Sequence, residues 1–209
     1  MPMDTLVARK KSDLVACMCG MVHHLVVVTI GVALLYANYS TGYVLAPAEL
    51  HHITPFVYGY LLGDTIFYCT VEAMGGRFEY LIHHIVGMML IGGALNAKDP
   101  MILLFAPHML ITEISTFLFG LGYCLRSSSL KHSPLVNQVE IAFCITFTLT
   151  RIVNMPYRIY LCWPHMDELG VAKYYFLPIM GLQLFWFYKI VTGVTSKYIM
   201  KEKKKEAQD

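Results

Sequence analysis

Six apolar blocks of bilayer-crossing scale alternate with short polar turns along this chain, at residues 14–36, 52–71, 80–95, 101–125, 135–155 and 171–194. A hydrocarbon core about 30 Å thick takes roughly 20 residues of helix to cross. Backbone groups inside it must satisfy their own hydrogen bonds, which leaves helices or closed barrels. Continuous apolar runs, as opposed to alternating ones, select helices. Composition agrees: 56% of residues are apolar and 14% charged, against about 45–50% and 25% in soluble domains. Mean hydropathy is +0.54. The pattern predicts an all-α polytopic membrane protein, a bundle of six transmembrane helices. One membrane domain, 14–195, lies between an N-terminal segment, 1–13, and a basic tail, 196–209.

The basic residues orient this bundle. With six spans, the N-terminus, the second and fourth loops and the tail share a side that carries eleven Lys and Arg, among them Arg9, Lys10, Arg77, Arg126 and Lys203 to Lys205. The other side carries three, Lys98, Arg158 and Lys173, with Arg151 and Lys189 at span ends. Positive charge stays cytosolic, so both termini are expected in the cytosol. The first block reads as a retained signal anchor. Asp4 and Asp13 interrupt what would be an acid-poor mitochondrial presequence.

Six cysteines are scattered, five of them in apolar blocks, with no CxxC pair. Neither a disulfide framework nor a zinc site is expected from that spacing, so no metal and no resident cofactor are assigned. There is no His-box array, GxSxG, Walker or GxGxxG motif. A b-type haem between His23 or His24 and His108 is an arrangement the residues permit.

Ionisable groups at membrane depth are costly, about 2.5–3.5 kcal/mol each on insertion scales, and turn inward. Asp64 sits mid-way along the second block, and His83 and His84 open the third. A hairpin between these blocks brings one histidine toward Asp64. Only one can face it, because adjacent helical residues point about 100° apart. The fourth block carries His108, Thr112 and Glu113, with Ser115 and Thr116 adding hydroxyls beside Glu113; the fifth carries Arg151. Glycines 87, 92 and 93 place the third block at the bundle centre. Asp64, His83, His84, His108, Thr112, Glu113 and Arg151 are expected to line a polar cavity that binds a lipid or acyl chain.

The segments GYLLGD (59–64), YLIHHIVGMML (80–90), EISTFLFGLG (113–122), FTLTRIVNMPYRI (147–159) and QLFWFYKIVTG (183–193), in that order, resemble the TLC-domain membrane proteins, the superfamily that includes the ceramide synthases. In the synthases a His pair and a later His-Asp-x-x-Asp group support acyl transfer from acyl-CoA to a sphingoid amine. The pair falls here on His83 and His84. The later group falls near His108, where Met109 and Thr112 stand in place of the two acids and Glu113 is the nearest carboxylate. The chain therefore looks more like the non-synthase branch, whose members are linked to membrane lipid composition.

Three functions follow as expectations. The first is lipid or acyl-chain binding that influences lipid homeostasis, with membrane lipids as partners. The second is an acyl-CoA-dependent N-acyltransferase, with His83 or His84 as base and Asp64 orienting it. The third is an accessory subunit beside other membrane proteins. No nucleic-acid partner is expected. The endoplasmic reticulum or another endomembrane is the expected location, with mitochondrial and plasma membranes left open.

Overall fold

The computed structural model describes residues 3–44, 47–69, 72, 74, 76–94 and 97–206. It is helical, with no strand among those residues. Helix α1 is Met3–Thr41, and α2 is Pro47–Asp64, continued by a π-helical turn, Thr65–Cys69. Helix α3 is Phe78–Ala94. Helices α4 (Pro100–Ile111) and α5 (Glu113–Ser127) form one rod bent at Thr112. Helix α6 (Pro134–Phe147) runs through a second π segment, Thr148–Asn154, into α7 (Met155–Cys162). A 3₁₀ segment, Trp163–Tyr175, leads to α8, Phe176–Glu206.

Among the described residues, three stretches are helical, long and apolar enough to cross a bilayer: Leu14–Thr41, Pro100–Ser127 and the 63-residue Pro134–Ser196. The last must reverse direction, because Arg151 bonds Gln183, 32 positions on. Helix α3 is apolar but shorter. Large apolar side chains face outward, such as Phe67 at 81% and Leu177 at 66% exposure. Among lipid tails that surface needs no further cover.

Packing closes the rods into a ring. Helix α1 touches α2, α4 and α5; α2 touches α3; α3 touches α8; α8 touches the second π segment; and α5 packs on α6. Helix α3 is half in and half out: Val86 and Leu90 are buried, whereas Ile82, Ile85 and Met89 are exposed. The central placement expected from its glycines therefore holds for one face only. There Gly93 is needed, since a Cβ on it would stand 2.4 Å from the Ala172 Cβ.

Boundaries moved where polar side chains satisfied the helix end. The expected loop from residue 37 shrinks because Ser40 and Thr41 hydroxyls donate to the carbonyls of Tyr36 and Ala37 at 2.7 Å. Gly42, at φ +71°, then closes α1 with its N–H on the Asn38 carbonyl. The fifth apolar block stops at residue 155, yet the helix continues through Pro156. It sits in the first turn of α7, straight after the π segment. The wider turn makes room for the ring, and a first-turn residue needs no N–H partner.

The 3₁₀ segment forms the floor of the ring. Met166, Leu169 and Ala172 are buried there against Val86, Ile102, Phe105 and Met155. Glu168 accepts from the Lys98 and Asp99 backbone N–H groups at 2.8 and 3.0 Å, and His165 lies 2.8 Å from Asp99. The hydrogen bond from His165 holds the Asp99 carboxyl below its ordinary range.

Candidate functional site

The ring encloses a cavity of about 610 Å³ whose wall is mostly apolar. That is within the roughly 300–1,000 Å³ typical of ligand sites. Six of the seven residues singled out from the sequence line it: Asp64, His83, His84, Thr112, Glu113 and Arg151. They fall into two polar groups.

The first group is built around Arg151, held on the second π segment and buried. Its Nε donates to Ser115 Oγ at 2.8 Å and its Nη1 to Gln183 Oε1 at 3.3 Å. Its Nη2 reaches Thr116 Oγ1 (2.8 Å), the Thr112 carbonyl (3.2 Å) and Glu113 Oε1 (3.3 Å). The Thr112 bend presents that carbonyl to it. Glu113 also lies 3.0 Å from His24 Nδ1, which ties in α1. One guanidinium thus joins the α4–α5 rod, the π segment and α8, with its charge met by a carboxylate.

The second group lies where α2 meets α3. In an α-helix, a residue five positions on points about 140° away. The turn Thr65–Cys69 is π-helical, closed i to i+5, and brings Cys69 back over Asp64. The Cys69 thiol donates to Asp64 Oδ2 at 3.4 Å. His84 stands against both, with Nδ1 3.5 Å from Cys69 Sγ and Nε2 3.6 Å from Asp64 Oδ2. His84 Nδ1 is also 3.3 Å from Thr65 Oγ1, whose own proton goes to the Leu61 carbonyl at 2.6 Å. No Lys or Arg pairs with Asp64 among the described residues.

His83 points elsewhere, as the angle between neighbours requires. Its ring meets Trp186 edge-on at 5.2 Å, and its Nδ1 is buried with no hydrogen-bond partner among the described residues. Near the cavity mouth Lys189 pairs with Glu79 at 3.2 Å, and Arg77 pairs with Glu72. Between α1 and α2, His23 stacks on Tyr60 at 3.8 Å and on Phe56 at 5.0 Å.

His108 does not join the others. It faces a separate void of about 10 Å³ beside Met101 and Arg158. A haem between His108 and His23 or His24 therefore has no place: one histidine is stacked on tyrosine, the other is against Glu113, and His108 is outside their cavity. Sequence reasoning missed Cys69, Gln183 and the His24–Glu113 contact as parts of the site. A glutamine inside the sixth apolar block was a readable signal for Gln183; nothing in a 3.6-residue period points to Cys69.

A model of the TLC-domain family, the group described by the names TRAM, LAG1 and CLN8, matches residues 13–192 of this chain. No curated protein sequence and no solved structure matches it significantly.

Proposed function

The chain belongs to the TLC-domain family of integral membrane proteins, and from that premise we propose that it binds a lipid or acyl chain inside the helical ring and so influences membrane lipid composition. The observation that carries this reading is the cavity inside the ring, apolar along its wall and polar at its two side-chain groups. The unpartnered His83 Nδ1 supports it. A buried polar atom left without a hydrogen bond costs about 1–3 kcal/mol, which a headgroup or ester oxygen offsets. Each of the six rods is taken as one crossing with the basic side cytosolic, in the endoplasmic reticulum or another endomembrane.

Lipid mass spectrometry on the purified protein tests the proposal. We expect a lipid class enriched over the surrounding membrane, and its loss in Ala106→Phe, which fills the cavity from α4. A wild-type preparation with no enriched lipid would overturn the reading.

A second reading, acyl transfer from acyl-CoA to a sphingoid amine, draws support from His84 standing beside Asp64, an imidazole with a carboxylate to orient it. Against it stand Met109 and Thr112 where the synthases carry acids. Labelled acyl-CoA and sphingoid base, turned over by wild type and by neither His83→Ala nor His84→Ala, would establish it. No turnover by wild type removes it.

A further inference from the structure

We propose that Asp64, Cys69 and His84 hold a divalent metal ion of the zinc type. The assignment stands apart from the lipid reading, since the three side chains converge whether or not an acyl chain fills the cavity.

The first ground is geometric. One ligand atom from each of the three lies within 4.8 Å of the others, with Cys69 Sγ 3.4 Å and His84 Nε2 3.6 Å from Asp64 Oδ2. Ligand atoms around a tetrahedral zinc stand about 3.3–3.7 Å apart, a spacing set by bonds of roughly 2.0–2.3 Å. The set of one thiolate, one imidazole and one carboxylate matches zinc's borderline-soft character.

The second ground is a count of protons. Thr65 gives its only hydroxyl proton to the Leu61 carbonyl, and Cys69 gives its thiol proton to Asp64. With the protons so placed, both present lone pairs to His84 Nδ1, and the ring's N–H belongs on that nitrogen. In the neutral ring, Nε2 then turns a lone pair toward the Asp64 carboxylate at 3.6 Å. Two acceptors facing each other in a low-dielectric bundle attract a cation, a proton or a metal ion, and no Lys or Arg supplies the charge among the described residues. A metal ion there displaces the Cys69 thiol proton and accepts from sulfur, Nε2 and Oδ2 together. The Nδ1–H to Thr65 contact becomes the outer hydrogen bond that fixes a ligating imidazole.

The third ground is the backbone. The π turn that aligns Cys69 with Asp64 gives up regular helix geometry, and such single turns recur at functional sites. Three protein ligands leave a fourth position, which faces the cavity and takes water or a ligand oxygen.

Full-length protein purified in detergent, incubated with zinc and dialysed, tests the assignment by elemental analysis. We expect about one zinc per chain in wild type, in Cys19→Ser and in His165→Ala. The content should fall at least tenfold in Cys69→Ser and His84→Ala. Cobalt(II) provides a reading on wild type alone: a thiolate-to-cobalt charge-transfer band that Cys69→Ser abolishes. Zinc retained in Cys69→Ser, or a wild type that takes no zinc and shows no cobalt–thiolate band, would overturn the site even if other variants fail to fold.

Discussion

Two polar clusters share one cavity, and they are built on opposite principles. Around Arg151 each of the three guanidinium nitrogens finds an acceptor, the charge is met by Glu113, and three rods are tied together. Around Asp64 the contacts are 3.3 to 3.6 Å long, they join only α2 and α3, and no fixed positive side chain is present among the described residues. A charge-matched network that ties several helices specifies a fold, whereas one left without a fixed positive charge is suited to receive something. The difference assigns stability to the first cluster and binding to the second.

The largest expected effect is at the first cluster. Arg151→Ala leaves the half-buried Glu113 with its main counter-charge gone and three rods untied, and should lower stability by about 3–5 kcal/mol. Thermal unfolding followed by fluorescence and size-exclusion chromatography measures this; an unchanged midpoint would erase the contrast. Glu113→Gln keeps the guanidinium's hydrogen-bond acceptors and removes only the charge, so about 1–3 kcal/mol is expected in the same assay. Asp64→Asn sharpens the comparison from the other side. Its midpoint should move by less than about 1 kcal/mol, within the range of loosely held polar groups, while the ligands the cavity retains change. An unfolding shift as large as that of Arg151→Ala would give both clusters the same role.

The smallest effect belongs to an exposed cluster outside the membrane-spanning segments. Asp99 has a depressed pKa, chiefly from its hydrogen bond with His165. A depressed carboxyl contributes stability that is present above its unfolded value, about 3.9, and is lost as pH falls through the lower folded value. Hydrogen exchange at the Lys98 and Asp99 amides, which Glu168 holds, should be unaffected by this group down to about pH 4 and should rise below it. Faster exchange already at neutral pH in His165→Ala, with no further acid step, would confirm the coupling.

Much of this molecule was legible in its sequence because the bilayer imposes harsh rules. Apolar blocks had to be helices, and Asp64, Glu113 and Arg151 had to turn away from lipid, so the cavity was foreseeable. Arg151 was legible as a charge in need of a partner, and Ser115 and Thr116 as hydroxyls beside Glu113; that these three side chains meet at one guanidinium was not. Features that depend on irregular backbone were not. Cys69 reaches Asp64 only through a π turn, and Pro156 passes inside a helix only because another π segment precedes it. His108 was grouped with Glu113 because both lie on one apolar block. Five positions apart on one rod, the two point about 140° away from each other, and His108 ends on the far side, beside Arg158.

The Arg151 hub also bears on how the molecule is made. Ribosomes deliver α5 before the arginine and α8 after it. When Arg151 enters the bilayer, Ser115, Thr116 and Glu113 have already been synthesised and can receive it; Gln183 arrives later to complete the set. The order of acceptors along the chain thus spares the nascent protein an interval with a bare guanidinium in oil, and it makes docking of the final helix the step at which assembly is sealed.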